Sequence, residues 1–110
     1  MDNKEIAQTI LSQLGGNRFV AMTGAKNFGY SSDGDDTILS FKIGRNATQT
    51  NYVTVRYNRG MDNYSMIFEA VRQKRKTFEV TRKTIAEYKG VYCDQLQELF
   101  GETTGMATRL

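Results

Sequence analysis

The sequence predicts an α+β domain: an antiparallel sheet of about five strands, with an N-terminal and a C-terminal helix packed on one face of it. Three observations lead there. Apolar residues recur at helical spacing near both ends of the chain, and they alternate with polar residues in between. The segments joining the alternating runs are short, polar and rich in Gly, Asn, Asp and Ser. A chain of 110 residues suits one domain with one core, spanning 1–110.

Taken in order, Asp2 or Asn3 can cap a first helix over roughly 3–14. Its stripe is Ile6, Ile10 and Leu14 with Ala7 and Leu11 beside them, and Gly15-Gly16 supplies a stop. Residues 18–24 contain Phe19, Val20, Ala21 and Met22, apolar on both faces, and read as a well-covered strand. Residues 37–43 put Leu39, Phe41 and Ile43 on one side and Ser40 and Lys42 on the other. Residues 51–57 set Val53, Val55 and Tyr57 inward, with Tyr52, Thr54 and Arg56 outward.

Residues 63–72 read as a strand with Tyr64, Met66, Phe68 and Ala70 inward, although a helix through Tyr64, Ile67, Phe68 and Val71 competes with it. Residues 77–83 form the last strand, with Phe78 and Val80 inward and Thr77, Glu79, Thr81 and Lys83 outward. Polar connections occupy 31–36, 44–50, 58–62 and 73–76. A final helix over about 90–100 carries Tyr92, Leu96, Leu99 and Phe100, and Gly101 ends it. The tail either stays loose or packs back through Met106 and Leu110. Phe41, Val55, Phe68, Val80 and Leu96 are the expected core.

Charge is unevenly placed. Between Lys42 and Lys83 ten bases meet three acids, a net of +7, whereas the flanks 1–41 and 84–110 are each −2. A basic sheet face attracts anions or an acidic partner. No stretch approaches the about 20 apolar residues of a membrane span, and the polar start lacks the layout of a signal peptide. Together with a single cysteine, this fits the cytoplasm.

Chemistry-bearing candidates are few. The absence of His removes the commonest general base and metal ligand, so the expectation is a non-enzyme with no cofactor and no metal. Thr23 to Gly29 has two glycines and a lysine but lacks the phosphate-loop spacing, and a turn leaving a strand is the simpler reading. Asp33-Gly34-Asp35-Asp36 lacks the Gly and Glu of a calcium loop and reads as a hairpin tip. Cys93 has no His to activate it and reads as a small buried hydrophobe.

The remaining constellation is basic and aromatic: Lys42, Tyr52, Arg56, Arg59, Arg72, Lys74, Arg75, Lys76 and Lys83. Flat rings on a positive sheet suit stacking of unpaired bases, and Lys and Arg neutralise phosphates. The plainer account is a solvated face whose Lys and Arg guard a sheet edge.

Three segments carry a resemblance: Leu14 to Phe28 (LGGNRFVAMTGAKNF), Leu39 to Ile43 (LSFKI) and Gly90 to Phe100 (GVYCDQLQELF). They resemble a family of small bacteriophage and prophage proteins. The likeness covers most of the chain, is weaker from Asn58 to Thr84, and carries over no functional residue. It implies a phage context in the host cytoplasm, with nucleic acid or a host protein as partner. The sequence thus leads to two expectations. One is a non-catalytic module binding nucleic acid through a basic sheet face and hairpin. The other is a protein-binding module that modulates a host factor such as a defence complex. Homodimerisation is compatible with both.

Overall fold

The computed structural model describes residues 2–108. Helix α1 (Asn3–Leu14) and helix α2 (Gly16–Thr23) lead into five strands: β1 (Lys26–Asp33), β2 (Asp36–Lys42), β3 (Tyr52–Asn58), β4 (Asn63–Gln73) and β5 (Val80–Val91). A 3-10 turn (Cys93–Gln95) and helix α3 (Leu96–Thr104) follow. The strands form one antiparallel sheet in the order β1-β2-β3-β4-β5, so each strand pairs with its sequence neighbours. The helices cover one face, as the α+β reading requires, and the other face is open.

Local chemistry accounts for most of these elements. The Asp2 carboxylate accepts the Glu5 backbone N–H at 2.8 Å and caps α1, which buries Ile6, Ala7, Ile10 and Leu14. Strands β2 and β3 bury Leu39, Phe41, Val53 and Val55, the residues their alternation points inward. Segment 63–73 is a strand, with Tyr64, Met66 and Phe68 buried, and the competing helix is not formed. Phe19, Phe41, Phe68 and Phe100 join helices to sheet: Phe19 meets the Phe41 and Phe100 rings at centroid distances of 5.7 and 4.8 Å.

Four expectations fail, each for a physical reason. Residues 18–23 are helical, because Phe19 and Thr23, four apart, are the side chains this short segment buries against α1 and the sheet, and Gly24 caps the helix. An apolar run of four residues fits either period. Strand β1 occupies residues read partly as a polar loop. It lies at the sheet edge with all eight residues exposed, so burial imposes no alternation on it.

Strand β5 begins later and runs further than 77–83, and its faces are inverted. Register shifts opposite Tyr64/Met66 and Phe68/Glu69 each insert one extra residue into β5, with Gly90 taking the positive φ of 66° in the first. The two insertions cancel, and the regular pairing from Gln73↔Val80 through Val71↔Arg82 and Ala70↔Lys83 sets Val80 and Arg82 on the open face and Lys83 on the helix-bearing side. Val80 is 58% exposed and Phe78 74% exposed, so neither belongs to the core, whereas Phe41, Val55, Phe68 and Leu96 are fully buried.

The last helix also starts and ends later than 90–100. Gly101 lies inside α3, and Gly105, at φ 74°, ends it in the left-handed conformation. Tyr92 and Cys93 precede α3 and are exposed, which corrects the buried reading of Cys93. Met106 packs against the core, while Leu110 lies outside the described residues.

Candidate nucleic-acid interface

The register runs in one line across the sheet through Lys26, Lys42, Tyr52, Glu69 and Thr84. At and beyond this line lie the 43–51 connection, the 74–79 turn and the chain entering β1. Among the described residues of the strands and their connections, this end gathers Lys26, Lys42, Arg45, Arg72, Lys74, Arg75, Lys76, Arg82 and Lys83 against Glu69 and Glu79, nine bases to two acids. Unlike charges dispersed over a surface, these sum into one positive field.

Much of that charge stands on a projecting arm. Beyond Glu69, β4 has no further register partner on β3, and residues 70–73 pair with 80–83 of β5. The base of the arm is clamped by Asn51. Its side-chain amide donates to the Val71 carbonyl at 2.7 Å, and its oxygen accepts the Val71 N–H at 2.7 Å, so one side chain stands in for a missing strand residue. At the tip the Lys74 N–H donates to the Glu79 carbonyl and the Phe78 N–H donates to the Lys74 carbonyl. This turn holds Phe78 at φ 55°, a left-handed conformation unusual for an aromatic residue.

Arg75 and Lys76 on the turn, Lys42 on β2 and Lys83 on the arm are exposed and form no ion pair among the described residues. Lys74 stands 3.9 Å from Glu79 in a solvent-exposed pair, which water screens strongly. Arg72 donates to the Gln49 side-chain oxygen at 3.2 Å, tying the arm to the 43–51 connection.

Arg82 is more tightly held. It grips the Glu69 carboxylate through two nitrogens, at 3.1 and 2.9 Å, and its guanidinium lies 5.3 Å from the Tyr52 ring centroid. Hydrogen bonding to Glu69 raises the Arg82 pKa further above its ordinary value. A base stacking on that side of half-buried Tyr52 would have to displace Arg82.

The expected site residues thus divide. Lys42, Tyr52, Arg72, Lys74, Arg75, Lys76 and Lys83 share the basic end, with Arg72 and Lys83 on the helix-bearing side of the arm. Arg56 and Arg59 do not. Arg56 shares the open face but reaches Asp36 at 2.7 Å and Asp33 at 3.0 Å, and the Arg59 backbone N–H donates to Asp36 at 3.1 Å. Hydrogen bonds from Arg56 first, and from the Arg59 backbone next, hold the Asp36 carboxyl below its ordinary pKa.

From its middle to the end that carries Arg56, the open face forms a trough of about 590 Å³, lined by Ile38, Thr54, Ser65 and Ile67 and by the charged Arg56, Glu87 and Lys89. The Asp33 and Asp36 carboxylates are committed to Arg56 rather than to a cation. Among the described residues no three His, Cys, Asp or Glu side chains are grouped to hold a metal, and no helix is long and apolar enough to cross a membrane.

Lys26, Arg45, Arg82 and Phe78 also belong to the basic end and were not among the expected site residues, although Arg45 and Arg82 are two of the ten bases between Lys42 and Lys83. Phe78 and Arg82 could have been found only from the β4–β5 register, because the apolar character of Phe78 points to a core position. Compared with models of protein families, with curated proteins and with solved structures, the chain matches none.

Proposed function

We propose that this protein is a non-catalytic nucleic-acid-binding module that docks through the basic end of its sheet, with the β4–β5 arm as the principal contact. The observation that carries the reading is the concentration of nine bases against two acids at one end, with Arg75 and Lys76 exposed on the arm tip. A polyanion gains most from such an arrangement, because each neutralised phosphate releases condensed counterions. The resemblance to small phage proteins agrees with it, since nucleic acid is a common partner in that setting.

A second reading is favoured by strand β1. It is an edge strand with eight exposed residues, a template on which a host protein or a second copy of the chain could add a strand.

Titrating labelled oligonucleotides into the protein at several salt concentrations separates the two. Nucleic-acid binding requires affinity that falls with salt, with a log–log slope of about −0.9 per duplex phosphate or −0.7 per single-strand phosphate neutralised. No binding to any oligonucleotide at low salt would overturn the first reading and leave the edge strand as the interface.

A further inference from the structure

Resting on the nucleic-acid reading, we infer that the arm enters a groove of double-stranded, B-form DNA and that Phe78 wedges between adjacent base pairs at its tip.

Two features of the arm select a duplex over a single strand. First, its charges lie on both faces and at the tip. Arg82 lies on the open face paired with Glu69, Lys83 pairs with Ala70 on the helix-bearing side, and Lys74, Arg75 and Lys76 crowd the turn. A strand lying on a flat sheet needs cations on one face, whereas a ribbon inserted in a groove has phosphates of both strands flanking it. Second, Arg82 covers one side of Tyr52, the ring on the open face at the basic end, so a base stacking there has to displace it.

Phe78 is the aromatic residue on the arm, and it is 74% exposed beside three cations. Its N–H is fixed to the Lys74 carbonyl at 2.8 Å, so the turn backbone, and not packing, sets where the ring projects. An apolar side chain carried into a groove by flanking cations is the arrangement that unstacks a base step and kinks the duplex. Partial unstacking is least costly at a flexible or mismatched step, which gives the site a preference without base-edge hydrogen bonds.

The test uses the full chain, which contains no tryptophan. Phe78→Trp places a single indole at the tip. Its emission is expected to be quenched on binding a 20-base-pair duplex, and more strongly when the duplex carries a central mismatch. Phe78→Ala is expected to weaken duplex binding about tenfold, the scale of stacking on one base. It should also abolish bending, read as energy transfer between end labels, while leaving the salt slope unchanged.

Unaltered indole emission with duplex bound, or an unaltered bend in Phe78→Ala, overturns the wedge and leaves phosphate binding by the arm intact. Quenching by a single strand without duplex binding overturns the duplex assignment. Absence of binding to any oligonucleotide overturns the wedge and the underlying nucleic-acid reading together.

Discussion

The two ends of the sheet handle charge in opposite ways. At one end the connections are tight: Gly34-Asp35 closes β1 to β2, and residues 59–62 close β3 to β4. There Asp33 and Asp36 converge on Arg56, and Asp62 accepts the Tyr57 hydroxyl at 2.7 Å. Charge at this end ties neighbouring strands together. At the other end the connections are longer, the bases outnumber the acids, and exposed Phe78 and Val80 stand on an arm that extends beyond its pairing with β3. Among the described residues, only Arg72 and Arg82 of those cations are tied into the fold by hydrogen bonds of their own side chains, and Arg75 and Lys76 are exposed on the tip. A region that keeps uncompensated like charge accepts self-repulsion, and a polyanionic partner would relieve it.

The sharpest break between folding and binding residues should appear on β4 and β5 themselves. Phe68→Ala, in the fully buried middle of β4, is expected to cost about 3–5 kcal/mol in denaturant unfolding, whereas Val80→Ala on the arm should change stability by less than about 0.5 kcal/mol. Equal losses would mean that the arm is part of the cooperative core.

Reversing the charge at the arm tip should have a comparably large effect, but on binding. With Lys74, Arg75 and Lys76 all changed to Glu, oligonucleotide affinity at 50 mM salt should fall about a thousandfold, roughly tenfold for each phosphate no longer neutralised. The thermal midpoint should stay within about 2 °C of the parent, because these side chains are exposed. Retained affinity would move the interface off the arm.

A smaller effect belongs to the opposite end. The Asp36 pKa is depressed in the folded state, so the Arg56 pairing contributes stability above the unfolded carboxylate value of about 3.9 and loses it as pH falls through the lower folded value. Arg56→Gln should therefore lower the thermal midpoint at pH 7 and converge with the parent as the pH falls through the lower folded value of Asp36. Oligonucleotide affinity should change little at any pH. A pH-independent difference would mean that Arg56 acts through packing rather than charge.

The smallest expected effect concerns the turn. Phe78 holds a left-handed φ that glycine adopts freely, so Phe78→Gly should leave stability unchanged or raise it by about 0.5 kcal/mol, while binding weakens. A loss of stability would show that the ring supports the fold.

The sequence by itself determined what local chemistry can express. Asp2 and the spacing of Ile6, Ile10 and Leu14 specify α1. The alternation through Leu39, Phe41, Val53, Val55 and Phe68 specifies three strands and the face they bury, because a half-buried strand has period two. The gathering of bases between Lys42 and Lys83 was legible as composition.

Tertiary structure decided the rest. Whether Phe19 to Met22 turned as helix or strand depended on which neighbours it met, and β1 exists because β2 offered an edge to pair with. The register across the 74–79 turn, with Gln73 opposite Val80, chose the face of Arg82 and Lys83, since a slip of one residue would invert both. Arg56 joined the sequence cluster of bases but was drawn to Asp33 and Asp36, twenty or more residues earlier in the chain. Which charges are neutralised and which are left for a partner follows from strand pairing, and no local pattern carries it.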